Sequence, residues 1–307
     1  MQTAHADTIP VGHDRSVCPA CDGNQVAAVG PYIGTHPIFQ RMGLVRCTGC
    51  GLTFAHPQPS ATELAEYYGR YWDGEVAVST PSTRRYYMAQ SLSRVNYLQR
   101  FGIFKTPPAV LDVGAGLGLF HDGLVRLGIE HNYIAVESDR DQLGKLRQRI
   151  GESDAYAQLD DVPHTRKFDL LILSHVLEHL AQPHTFVTSL MQRLRPGGLL
   201  FVEVPNQDYR YKATFESHLL FFDPQSLRHF LSRHGEVLDV DTVGKEASKF
   251  YVAHVHPRKD PLRPLKEIVK TLIAVTTPDF DTRQIERFEM ARYGGDRQWL
   301  RAVTRHT

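Results

Sequence analysis

Four groups of residues in this 307-residue chain have types and spacings suited to chemistry. All four cysteines fall into two C-x₂-C turns, Cys18 with Cys21 and Cys47 with Cys50. Each turn offers two thiolates to one tetrahedral ion, and two turns close its coordination sphere, so a structural zinc with no open position is expected. Two disulfides are the rival pairing, disfavoured in a cytoplasmic enzyme-like chain. The second group is the run at residues 109–118, Ala-Val-Leu-Asp-Val-Gly-Ala-Gly-Leu-Gly. It reads as a strand, a tight turn and the start of a helix, the opening of a nucleotide-binding α/β unit. His175 and His179 form the third group, and Glu216 with His218 the fourth. Histidine near neutral pH suits removal of a proton from a hydroxyl or a carbon acid.

The glycine turn excludes one ligand and favours another. A dinucleotide fingerprint needs a glycine at position 119, where this chain has Leu119, with Gly118 one residue early. Asp112, two residues before Gly114, would repel a pyrophosphate and attract a cation. S-adenosylmethionine carries an ammonium and a sulfonium and no phosphate, and it fits that carboxylate.

These motifs resemble the class I S-adenosylmethionine-dependent methyltransferases over roughly residues 85–256. The resemblance implies a Rossmann-like α/β fold with a seven-stranded sheet. It implies cofactor contacts at Asp112, Gly114, Ala115, Gly116, Gly118 and Ser174, with Glu137 on the ribose hydroxyls about 20 residues beyond the turn. By analogy with the turn after the family's third strand, Gln158 and Leu159 would lie along the adenine. The segments 168–180 and 194–205 look like the family's fourth and fifth strands, so His175, His179, His218 and Glu216 would stand near the acceptor pocket. A four-cysteine ribbon ahead of this domain is similar to sugar-nucleotide C-methyltransferases and to related polysaccharide and natural-product enzymes that methylate oxygen. That implies a small-molecule acceptor, a sugar or nucleotide-linked sugar, methylated on carbon or oxygen. His218 carries over from those enzymes' His-Glu-His-Leu-like segment, although Ser217 replaces the neighbouring glutamate and the chain ends before their further C-terminal domain. RNA methylation and a non-catalytic, cofactor-binding scaffold are the alternatives.

The elements that must position these groups follow from pattern. Residues 1–16 read as a tail, 17–57 as the zinc ribbon with hairpin strands near 25–29, 43–46 and 52–55, and 58–104 as a helical linker or lid. The 25 residues between the cysteine pairs predict an insertion bulging from the ribbon. The short helix at 61–68 has Ser60 as its N-cap. Tyr67, Tyr68, Tyr71, Trp72, Tyr86 and Tyr87 crowd this region, as ribbon-to-domain packing or as a lid, with residues 73–83 as its mobile part. Residues 105–257 alternate strand and helix, which implies a parallel sheet covered on both faces. Strands at 236–243 and 249–256 are expected to form an edge hairpin completing that sheet. Residues 258–307 read as a C-terminal helical extension, opening with a basic amphipathic helix and offering a homodimer contact. A net charge of +1 supplies no general drive toward nucleic acid. No apolar run spans a membrane and no signal-peptide pattern opens the chain, so a cytoplasmic protein is expected.

Overall fold

The computed structural model describes residues 17–68, 81–255, 262–276, 283, 285 and 296–307. It opens with β1 (Val26–Pro31), α1 (Pro37–Gln40), β2 (Gly43–Cys47) and β3 (Thr53–His56). These strands pair antiparallel, and α1 lies in the insertion between the cysteine pairs. α2 (Ala61–Tyr68) starts at the expected cap. Ser60 Oγ accepts from the Glu63 N–H, and the Glu63 carboxylate accepts from the Ser60 N–H at 2.8 Å, so two orphan amides are satisfied reciprocally.

α3 (Pro81–Gln99) leads into the large unit: β4 (Ala109–Val113), α4 (Leu119–Arg126), β5 (Asn132–Val136), α5 (Arg140–Ile150), β6 (Ala155–Tyr156), β7 (Phe168–Ser174), α6 (Pro183–Met191) and β8 (Leu194–Pro205). β9 (Leu220–Phe221), α7 (Pro224–Ser232), β10 (Glu236–Glu246), α8 (Ala247–Val255), α9 (Arg263–Thr276) and β11 (Arg297–Arg305) follow. The seven-stranded sheet has the order β10-β11-β8-β7-β4-β5-β6. Its β8-β7-β4-β5-β6 portion is parallel, and β10 and β11 are antiparallel. The central strands are apolar on both faces: Val110, Leu111, Leu170, Leu171, Ile172 and Leu173 are fully buried between helical layers. Because the strand order reverses beside β4, a crevice opens outside the carboxyl ends of β4 and β7, the position of ligand sites in such sheets.

The edge of the sheet corrects the expected hairpin. Residues 247–255 are helical, and the partner of β10 is β11, from the segment expected to be a helical tail. The strand carries three arginines, Arg297, Arg301 and Arg305. In the fold Arg301 is buried because Glu203 of β8 neutralises it, Nε to Oε2 2.6 Å.

β9 pairs with β3, so the large unit contributes the fourth strand of the cysteine-bearing sheet. The lid expected at residues 73–83 lies outside the described residues except for the start of α3, as do Tyr71 and Trp72. Among the described residues, no helix is long and apolar enough to cross a membrane.

Candidate active site

The glycine turn is built as the sequence predicts. After β4 the amides of Gly114 and Ala115 donate to Val136 O at 2.9 and 3.0 Å, which bends the chain back across the end of β5. Gly114 has φ +73°, and a Cβ there would run into Val176 Cγ2. Gly116 has φ +53° and only open space where a Cβ would sit. The first glycine therefore answers to packing, and the second leaves room for a ligand against the backbone. Gly118 caps α4 in the left-handed region, where a Cβ would press on Leu146 Cδ1; it shapes the helix and does not line the cavity.

Above this turn lies a cavity of about 350 Å³. Asp112, Gly114, Ala115, Gly116, Ser174 and His175 line it, all sequence candidates. Asp112 is 3% exposed and accepts a hydrogen bond from Tyr133 Oη. Burial pushes its carboxyl up to about 6, against the pull of the Tyr133 hydroxyl and the Arg94 guanidinium. Ser174 Oγ is buried and has no hydrogen-bond partner among the described residues. A carboxylate, an orphaned hydroxyl and a turn without a Cβ are what a cationic amino-acid ligand requires, so the residues present fit S-adenosylmethionine.

Residues that sequence reasoning did not single out complete the cavity. Gln90 and Arg94, one helical turn apart on α3, face it, and Trp299 of β11 and Phe250 of α8 close it. Arg94 and Arg301 both bond Glu203, which is fully buried. Burial opposes the Glu203 charge, but the two guanidiniums outweigh it and hold the carboxyl well below the usual range. The i, i+4 spacing of Gln90 and Arg94 was the available signal; their partner, more than a hundred residues away, was not.

The four proton-transfer candidates separate. His175 sits at φ +58°, a costly backbone for a non-glycine residue and one that turns its ring toward the cavity. Its nitrogens lie 3.4 Å from Glu178 Oε1 and 3.4 Å from Glu203 Oε1. Burial disfavours its charge, yet the two carboxylates prevail and push it up to about 9, so it is an imidazolium at neutral pH and has no lone pair to take a proton. A charged His175 acts as a donor rather than as a base. His179 and His218 come together, ring centroids 4.8 Å apart, beyond the lining of the cavity. Burial lowers His179 to about 4, keeping it neutral. Its Nδ1 lies 3.0 Å from Ser217 Oγ, and the Tyr68 ring meets its edge. Glu216 turns away from both: its carboxylate accepts from the amides of Thr35 and His36, clamping the ribbon insertion, and this corrects its expected place near the acceptor pocket.

Glu137, Gln158 and Leu159 lie outside the cavity lining. Glu137 accepts from Gly116 N at 2.7 Å and Asp139 N at 2.8 Å, bracing the turn from the end of β5. Gln158 N–H donates to Asp161, and Leu159 O accepts from Arg193 at 3.0 Å.

The cysteines converge as two pairs, Cys18–Cys50 and Cys21–Cys47, each with sulfurs 3.5 Å apart, and all four sulfurs lie within 4.8 Å of one another. That is far beyond a disulfide bond and near the spacing of about 3.8 Å expected for thiolates around one tetrahedral ion. The cluster fits zinc. It is tied to the large unit where Ala20 O sits 2.9 Å from His184 Nε2 and Asp22 pairs with Arg233 at 2.6 Å.

A family profile described as a methyltransferase domain matches residues 82–239, just over half of the chain. The chain belongs to this methyltransferase family. Among curated proteins it is similar to the mitochondrial ubiquinone biosynthesis O-methyltransferase of Candida albicans, 30% identical over 108 residues, 33% of this chain and 33% of that protein. It is also similar to the ubiquinone biosynthesis O-methyltransferase of Caulobacter sp. strain K31, 27% identical over 198 residues, 55% of this chain and 77% of that one. The match covers between a third and a half of the length of the first such relatives. A solved Galdieria sulphuraria protein, named for sarcosine dimethylglycine methyltransferase, shares the fold at TM-score 0.50 and 14% identity, over 80% of this chain and 98% of that one.

Proposed function

We propose that this methyltransferase-family chain moves a methyl group from S-adenosylmethionine to an oxygen of a small-molecule acceptor. One observation carries the reading: a buried carboxylate, Asp112, and a buried guanidinium, Arg94, face the same cavity over the glycine turn. An amino-acid end, with its ammonium and carboxylate, needs one of each. When bound, the cofactor supplies an activated methyl on a sulfonium, so the protein has only to position the acceptor and dispose of its proton. Asp112 holds the ammonium, Arg94 and Gln90 the carboxylate, and the open side of Gly116 lets the cofactor lie on the backbone. Glu137 takes the ribose hydroxyls with its remaining lone pairs, and Gln158 and Leu159 flank the adenine. The acceptor enters beside Tyr86, Tyr87, Phe250 and Trp299, which line the cavity. Its hydroxyl proton leaves to water on the side where His179 and His218 stand.

Oxygen as the methylated atom is supported by the names of the curated relatives. The aromatic walls favour an acceptor with a flat or apolar face. The ribbon and His218 support a sugar or nucleotide-linked sugar as a second acceptor class. The four cysteines hold a structural zinc that fixes the insertion and its Glu216 clamp.

Labelled methyl transfer from S-adenosylmethionine into a fractionated extract tests the reading, alongside calorimetric cofactor binding by wild type and Asp112→Asn. Label in small metabolites with binding lost in the variant is the expected result. Label in RNA alone overturns the acceptor class, and absence of cofactor binding by the wild type overturns the function.

A further inference from the structure

We propose that Glu178, His179 and His218 form a second metal site, separate from the cysteines, for a divalent first-row transition ion. The ligand atoms of the three residues lie within 4.8 Å of one another. They come from two segments that the backbone locks together. The turn after β7 is closed by His179 N–H to Val176 O at 3.0 Å, and the loop before β9 joins it through Leu219 N–H to Glu178 O at 2.7 Å. The site is thus assembled before any ion arrives.

The Glu178 side chain is 1% exposed, and neither of its oxygens has a hydrogen-bond partner among the described residues. The nearest nitrogens are His175 Nδ1 at 3.4 Å and His179 Nε2 at 3.9 Å, both on Oε1. His175 meets part of the charge there, and Oε2, buried and without a hydrogen-bond partner among the described residues, is left for a cation.

His179 has an outer partner of the kind that orients a metal-bound histidine, and His218 stands against a buried carboxylate. His179 Nδ1 is engaged by Ser217 Oγ at 3.0 Å, which leaves Nε2 on the Glu178 side. His218 Nδ1 lies 2.8 Å from Asp208 Oδ2, and Asp208 in turn lies 3.1 Å from Lys212 Nζ. Asp208 stands on the Nδ1 side of the ring, which leaves Nε2 for a ligand role. The two imidazoles keep 20% and 13% of their side-chain surface exposed, which gives an ion a way in.

Two imidazoles and one carboxylate suit Zn²⁺, Fe²⁺, Co²⁺ or Mn²⁺ rather than the all-oxygen shells of Mg²⁺ and Ca²⁺. Three protein ligands leave coordination positions open. Glu178 lies 3.4 Å from His175, which lines the cofactor cavity, so the site stands next to that cavity. An acceptor hydroxyl taken into an open position would give its proton to water more readily. This last role rests on the proposed methyl transfer; the binding of the ion does not.

Untagged protein, with its cysteine site loaded with zinc, should be titrated with Co²⁺ and followed by calorimetry and by visible absorption. The expected result is uptake of about one equivalent with a spectrum free of thiolate-to-cobalt charge transfer. Ser217→Ala and Asp208→Asn, which spare all three ligands, should each weaken binding about 10- to 100-fold. Glu178→Gln should abolish it, with circular dichroism checking that each variant is folded. No uptake by the wild type, uptake only with a thiolate band, or affinity unchanged in folded Glu178→Gln overturns the site. Cobalt uptake without any binding of S-adenosylmethionine would support the metal site and sink the methyltransferase reading. Cofactor binding without cobalt uptake would do the reverse.

Discussion

Replacing Asp112 with asparagine should make the cofactor-free protein more stable while destroying the site. Asp112 is 3% exposed, and burial raises its carboxyl from an ordinary 3.8 to about 6. The folded state therefore binds the proton more tightly than the unfolded chain. Stability falls as pH rises from about 4 to about 6, and the whole cost is present above that window. A shift of about two units corresponds to roughly 3 kcal/mol. Asparagine keeps an oxygen for the Tyr133 hydroxyl and removes the buried charge. It adds an amide N–H₂ that needs its own acceptor, so a net gain of about 1–3 kcal/mol at pH 8 is expected. Urea unfolding of the apo protein at pH 5 and pH 8 reads both the gain and the loss of this residue's contribution to the pH slope. The same variant should bind S-adenosylmethionine at least about tenfold more weakly, since an ammonium loses its charged partner. Wild-type affinity should climb as pH rises through 6. A variant that is less stable than wild type at pH 8, or that binds the cofactor equally well, refutes the reasoning.

Glu203→Gln acts in the opposite sense: it leaves Arg94 and Arg301 buried without their carboxylate and should cost about 3–5 kcal/mol in urea unfolding. Gly114→Ala imposes a positive φ on alanine and drives its Cβ into Val176, so a loss of about 1–3 kcal/mol and weaker cofactor binding should appear together in melting and calorimetry. Cys18→Ser should lower zinc content measured by mass spectrometry and loosen the Ala20–His184 and Asp22–Arg233 contacts, read as faster proteolysis near residue 20.

Sequence alone carried the features that depend on neighbours along the chain. The glycine turn needs its residues within ten positions of one another, and Ser60 caps the helix that starts at the next residue, so both were legible. The paired C-x₂-C turns were legible because each knuckle is local, although their meeting spans the insertion. The parallel strands announced themselves as continuous apolar runs, since burial on both faces leaves no alternation to misread.

Tertiary structure decided everything that rests on partners distant in sequence. Arg301 of β11 is buried because Glu203 lies beside it, and Phe250 and Trp299 reach the cavity from segments expected to be a strand and a helical extension. Glu216 reads as a base by composition, yet the fold gives its oxygens to the amides of Thr35 and His36. His175 reads as a proton acceptor until the carboxylates of Glu178 and Glu203 bracket it and keep it charged. A residue's type and its near neighbours set what chemistry it can do. Desolvation and the charges that folding brings within a few ångströms set which protonation state it holds, and so which of those chemistries it performs.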